Sequence, residues 1–215
     1  MEPSTPAATQ PSASTEPSVR SALSALVRPP NRADARRNYD ALLRAAGEVL
    51  GADGPDASLD EIARRAGVGN ATLYRHFPTR RDLVVAVCVD DVELLCALGE
   101  RLRSGARPGR ALVEWLGAYI EHVSSRRGLG AALMTGRPED SAIVRACREA
   151  VAAAGVGLLE PAQRAGEIRP DVDLADLLRL ASAVATAAEP DHVEGTDSAA
   201  RLLEIVLHGI VAEPR

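Results

Sequence analysis

The sequence predicts an all-α protein with a three-helix, helix-turn-helix unit near its N-terminus and a larger helical domain behind it. Three observations predict this. Helix-starting residue pairs and helix-stopping glycines and prolines recur along the chain. Long runs place apolar residues three and four apart, and no stretch alternates apolar with polar residues as a half-buried strand would. At 215 residues, 46% of them apolar, the chain suffices for one large or two small domains with a real core.

Residues 1–33 are rich in Pro, Ser, Thr and Ala, carry no periodic apolar face and lack the layout of a signal peptide, so they are expected to form a disordered tail. Arg28, Arg32, Arg36 and Arg37 sit where this tail meets the first helix. Both an arm touching a DNA backbone and a solvated tail fit them. The first helix is expected from about Asp34, a good N-cap, to Leu50, with Tyr39, Leu42, Leu43, Ala46, Val49 and Leu50 on one stripe. Gly51 to Pro55 then ends it.

The stretch SLDEIARRAGVGNATLYRHFPTRRD, residues 58–82, holds two short helices, a tight turn and the start of a further helix. Ser58 and Glu61 have capping-box spacing, the hydroxyl taking the Glu61 amide and the carboxylate reaching back to the Ser58 amide. Leu59, Ile62, Ala63 and Ala66 share a face, and Gly67 supplies the left-handed residue that ends that helix. Asn70 to Phe77 forms the next one, stopped by Pro78, which disfavours helical backbone at the residue before it. Thr79 and Asp82 repeat the capping pattern. Helix, short turn, helix can lay its second helix in a DNA major groove. The inner residues Leu59, Ile62, Ala63, Val68, Leu73 and Phe77 can bury together, leaving Asn70, Thr72, Tyr74, Arg75 and His76 to reach phosphates or base edges.

A fourth helix is expected from Arg80 to about Arg103, with Leu83, Val84, Val87, Leu94, Leu95, Leu98 and Leu102 recurring at three and four. It is too long for the small unit alone and should link that unit mechanically to the larger domain. Further helices are expected at Pro108–Arg126, at Leu129–Met134, from Pro138 to about Ala165, from Asp173 to about Ala188, and from about Asp197 to Ala212. Pro161 should kink or break the long one, because its ring clashes with the carbonyl of Gly157.

Charge is unevenly spread. Residues 20–81 hold 11 Arg against 7 acidic residues, whereas residues 82–215 hold 14 against 21, within a net charge of −5. Positive charge therefore gathers around the helix-turn-helix, and a protein that coats nucleic acid along its whole surface is disfavoured. All 25 basic residues are Arg, a compositional bias that reaches places with no nucleic acid to touch. Cys88, Cys96 and Cys147 have no metal-ligand spacing and read as small apolar residues in a reducing compartment. The histidines are scattered and no glycine-rich phosphate loop follows a strand, so no catalytic constellation, metal site or cofactor is expected. No run approaches the ~18 apolar residues of a membrane span. An architectural DNA-binding protein without ligand control remains a rival reading.

LDEIARRAGVGNATLYRHFPTRRDL, residues 59–83, resembles the DNA-binding core of the TetR family of bacterial transcriptional regulators. The matching positions are Ile62, Ala63, Ala66, Gly67, Val68, Thr72, Leu73, Tyr74, His76, Phe77 and Leu83. Two positions depart from it: Gly69 stands where the pattern often has Ser, and Arg80 where it usually has Lys. AQRAGEIRPDVDLADLLRL, from Ala162, also looks like a segment of one group of TetR C-terminal domains.

The resemblance implies a ligand-responsive repressor in the cytoplasm, a homodimer released from a palindromic double-stranded operator by a small molecule. It divides the chain into the tail, a DNA-binding domain at 34–82, and an effector-binding and dimerisation domain at 83–215. The expected DNA-binding set is Arg36, Ser58, Gly69, Asn70, Thr72, Leu73, Tyr74, Arg75, His76 and Arg80. The expected pocket holds Trp115, Tyr119, His122, Met134 and Cys147. The last two helices should pair with their copies in a second subunit through Leu177, Leu178, Ala181, Leu203, Val206 and Ile210.

Overall fold

The computed structural model describes residues 27, 29–105, 107–125, 138–187 and 198–210. Eight α-helices run through them: α1 (Ala33–Asp53), α2 (Leu59–Arg65), α3 (Asn70–His76), α4 (Arg80–Arg103), α5 (Pro108–Ser125), α6 (Pro138–Arg164), α7 (Leu174–Ala187) and α8 (Ser198–Ile210). The expected tail lies almost wholly outside the described residues, as does the short helix expected at Leu129–Met134. No helix of the described residues is long and apolar enough to cross a membrane.

The apolar stripe of α1 is buried as its spacing predicts, from Tyr39 through Leu50. Its start differs. Arg32 occupies the N-cap and Asp34 lies inside the first turn, paired with Arg37, because a carboxylate there serves a neighbouring guanidinium as readily as the backbone. Gly54, at φ 83°, closes the helix by donating its N–H to the Leu50 carbonyl.

The Ser58 hydroxyl accepts the Glu61 amide at 3.3 Å, but the reciprocal half of the expected box is absent. The Glu61 carboxylate instead takes Arg64 at 2.7 and 2.8 Å and Arg65 at 2.8 Å. Two charged donors one turn ahead outcompete a neutral amide. Gly67, at φ 70°, ends α2: its own N–H goes to the Arg64 carbonyl and that of Val68 to the Ala63 carbonyl, a Schellman pair. Gly166 repeats the arrangement at the end of α6, bonding Gln163 while Glu167 bonds Ala162.

At α4 the expected box is complete, with Thr79 and Asp82 exchanging both bonds. Leu83 to Val87 are all buried, since this end of α4 is enclosed on several sides. Leu94, expected on the apolar stripe, is exposed. Leu94 points about 100° away from its buried neighbour Leu95, on a side of α4 that is not covered there. Lower down, α4 packs against α5 and α6.

The long α6 runs through Pro161 without a break, so of the expected kink or break the break does not occur. Neighbouring packing holds it: Leu158, Leu159 and Ala162 are all buried. Gly155 lets α6 approach closely, because a Cβ there would lie 2.8 Å from a Leu174 methyl and 3.1 Å from the Trp115 ring. Asp173 caps α7 by accepting the Ala175 amide at 2.6 Å, as its position predicts.

Candidate DNA-reading head

The reading head is built on a core of Tyr39, Leu42, Ala46, Ile62, Ala63, Leu73 and Phe77, closed from beneath by Leu83 and Val87. Tyr39 anchors it. Its ring lies 5.0 Å from that of Phe77 and 6.0 Å, edge to face, from that of His76, and burial, then nearby Asp90, pushes its phenol up to about 12. The hydroxyl therefore stays protonated throughout the working range of the protein.

On this base the outward face of α3 presents Gly69, Asn70, Ala71, Tyr74 and Arg75 to solvent, Tyr74 being 48% exposed. Thr72 and His76 are half-buried. Burial, then the adjacent Arg75, pulls the His76 imidazole below its ordinary range. Asn70 is held by Asp60 through a 2.6 Å hydrogen bond from its amide, which orients the first residue of α3. Ala71 was not among the residues expected from the sequence. Its exposed methyl is the type of group that touches a thymine methyl, but alanine carries no polar signal that spacing could reveal.

Several residues expected to contact DNA make bonds or pack within the head. Leu73 is buried in the head's core and supports α3 from behind. The Ser58 hydroxyl is committed to the α2 cap. Arg36 pairs with Asp40 at 2.9 Å. Arg80 turns away from the outer face and donates to the carbonyls of Pro55 and Ala57. Glu61 orients Arg64 and Arg65 on α2. Hydrogen bonds from Arg64 and then Arg65 hold the Glu61 carboxyl at about 2, below its ordinary 4.5. The bonds that Glu61 makes are thus fully present above its ordinary value and are lost as pH falls through about 2. A carbon-detected carboxylate titration is expected to find that low midpoint; a midpoint near 4.5 would show the arginines unrestrained.

Behind the head, the expected pocket residues on α5 line one face at i, i+4 and i+7. Trp115 and Tyr119 stack with ring centroids 6.1 Å apart, and His122 lies 6.5 Å beyond. Trp115 is a correction: it is fully buried, its indole N–H donates to the Leu95 carbonyl at 3.0 Å, and it belongs to the core rather than to a cavity wall. Tyr119 shares a 3.1 Å hydrogen bond with Ser182 on α7. Cys147 is half-buried, its thiol pushed up to about 11 by burial and then by Cys96. Met134 lies outside the described residues. A groove of about 520 Å³ opens elsewhere, between α1 and α4, lined by Leu43, Glu48, Asp90 and Leu94 among others.

The expected dimer residues also divide. Leu177, Ala181 and Leu203 are buried within the protomer, where α7 packs on α5 and α8 packs on α7. These stripes fill the protomer's own core first. Leu178 and Val206 are half-buried, and the Ile210 side chain lies outside the described residues. Among the described residues, the large apolar side chains that α7 and α8 expose are Leu180 at 44% and Ile205 at 62%.

Comparison with known proteins matches residues 42–87 to the model for bacterial regulatory proteins of the tetR family, and residues 107–212 to that for the C-terminal domain of SbtR-like transcriptional regulators. The crystal structure of a TetR transcription regulatory protein from Mycobacterium vanbaalenii superposes with a TM-score of 0.68 at 33% identity, over 85% of this chain and 100% of that one. The transcriptional activator FasR of Mycolicibacterium smegmatis is 40% identical over 96 residues, 42% of this chain and 43% of FasR. The transcriptional repressor LfrR of the same organism is 49% identical over 51 residues, 24% of this chain and 26% of LfrR. The chain thus spans less than half the length of these two curated relatives. With a helix-turn-helix whose second helix turns its outer face to solvent, and with family models matching residues 42–87 and 107–212, this chain belongs to the TetR family and is a DNA-binding transcriptional regulator rather than an enzyme.

Proposed function

We propose that this protein is a homodimeric repressor in the cytoplasm that holds a palindromic operator and is released from it by a small molecule. The observation that carries this reading is α4. Its first turns close the core of the reading head, while its later residues Leu95 and Leu102 are buried where it packs on α5 and α6. A rigid helix shared by both regions turns a small change around α5 and α6 into a change in the attitude of the head. Two heads must meet half-sites ~34–36 Å apart, so a change of tilt in each protomer unseats both together. A ligand gathered along Tyr119, His122 and Cys147 is placed to produce it. The outward residues Leu180 and Ile205 are the proposed seam between protomers. The division at the start of α4, into a head at 34–82 and an effector domain at 83–215, follows from the same reading.

Arg75 and Tyr74 test the head. Arg75→Ala is expected to cost ~1–3 kcal/mol on the operator and to relax preference at one base pair. Tyr74→Phe is expected to weaken all sequences alike, by removing a phosphate contact. Anisotropy titrations on operator and scrambled duplexes at several salt concentrations separate the two; unchanged affinity and salt slope in both variants would remove α3 from the groove. Ligand control is tested by thermal-shift screening of lipophilic metabolites, followed by calorimetry with and without operator. Coupling of ~1–3 kcal/mol predicts about a 5–150-fold loss of ligand affinity on the operator complex. Equal affinities would leave a DNA-binding protein without induction.

A further inference from the structure

Arg80 is the first residue of α4, and its side chain runs back across the head. Nη1 donates to the Pro55 carbonyl at 3.2 Å and also to the Ala57 carbonyl, 25 and 23 residues earlier in the chain. Both acceptors lie in the loop that joins α1 to α2. That loop is tightly made: Gly54 turns it at φ 83°, Ala57 returns its N–H to the Gly54 carbonyl at 3.2 Å, and the Ala57 side chain is buried. Ser58, the N-cap of α2, comes directly after it. On the α4 side the backbone beneath Arg80 is equally fixed, because the Asp82 carboxylate takes both the amide and the hydroxyl of Thr79, at 2.9 and 2.7 Å.

We infer that Arg80 is a positioning residue, a strut that ties the start of α2 to the first turn of α4 and thereby sets the angle at which α3 meets DNA. Apolar contacts also hold the head on α4, through Phe77, Leu83 and Val87, but hydrophobic burial is non-directional and tolerates sliding. Hydrogen bonds from a guanidinium fix direction, and bonds from a charged donor are the stronger kind. Turn carbonyls, with no helix or sheet partner of their own, need a donor, and this one comes from the helix that must be aligned. The cation therefore acts within the protein and not as a phosphate ligand. The inference rests on DNA binding by the head and is independent of the proposed ligand control and dimer seam.

The test compares R80M and R80Q with the parent protein, by anisotropy on an operator duplex selected from random sequence and on a scrambled duplex, from low to moderate salt. A strut predicts that R80M loses roughly tenfold on the operator, the size of one misread base pair, with little change on scrambled DNA. It also predicts an unchanged dependence of log affinity on log salt. R80Q, which keeps an N–H donor without the charge, should recover part of the loss. A phosphate contact predicts instead that both variants weaken operator and scrambled DNA alike and flatten the salt slope by about 0.9. That outcome, or operator affinity equal to the parent's in both variants, overturns the inference. Should R80M not fold, R80Q alone decides by its salt slope. Should neither fold, amide exchange in the parent decides, since a strut requires the amides of Ala57 and Ile62 to exchange together with the first turn of α4, and independent exchange overturns it.

Discussion

Replacing Trp115 by alanine is expected to lower the stability of the protein by about 3–5 kcal/mol. Trp115 is fully buried and has the bulkiest side chain in the interior. Two glycines make room for it. A Cβ at Gly99 would lie 3.4 Å from its indole nitrogen, and one at Gly155 would lie 3.1 Å from its ring. Residues on α4 and α6 therefore meet the same ring. The indole N–H also donates to the Leu95 carbonyl, and that bond is lost on truncation. With domain stabilities of about 5–15 kcal/mol, such a loss brings the chain near its threshold. Urea unfolding followed by circular dichroism measures it. Tyr119→Phe is the companion: it removes only the hydroxyl that meets Ser182 and should cost about 0.5–1.5 kcal/mol. A Trp115→Ala variant whose stability matched that of Tyr119→Phe would return this side chain to the wall of a cavity.

The second large effect concerns association. Leu180→Asp combined with Ile205→Asp is expected to leave the protomer folded and to abolish the dimer. Both side chains are exposed in the isolated protomer, at 44% and 62%, so the new carboxylates remain in water there. In a dry seam each must be buried or neutralised, at a cost of about 3 kcal/mol or more, which is over a hundredfold in the dissociation constant per position. Sedimentation should report a monomer with unchanged helix content, and affinity for a palindromic operator should collapse to that of one half-site. Leu203→Asp provides the contrast. At 8% exposure its side chain is already inside the protomer, so the charge is forced into the fold itself and should unfold it. If Leu203→Asp instead gave a stable monomer, or the Leu180 and Ile205 pair stayed dimeric, the seam would lie on another face.

Features made within a few residues were legible in the amino-acid sequence by itself. Thr79 with Asp82, Gly67, Gly166, Asp173 and Pro78 act over three to five positions, so residue type and spacing suffice to place the helix ends that they control. The apolar period of α1 likewise names its buried face, and the run through Phe77 identifies the family. Even here choices between neighbours escaped. Glu61 had a backbone amide and two guanidinium groups within reach, and spacing carries no information on which acceptor–donor geometry is the better.

What only the tertiary structure decided is which partner each face meets. The apolar stripes with Leu177 and Ala181 on α7 and Leu203 on α8 are satisfied equally by their own protomer or by a second copy, and the energy per unit of buried area is the same in both. Trp115 reads alike as a core residue or a pocket wall until Gly99 and Gly155 are seen against its ring. Asn70 and Arg80 read as DNA contacts from their place in the motif, whereas their bonds run to Asp60 and to the loop carbonyls of Pro55 and Ala57. Those partners lie 10 to 25 residues away along the chain, and only the packing of α1, α2, α3 and α4 brings them within hydrogen-bonding distance.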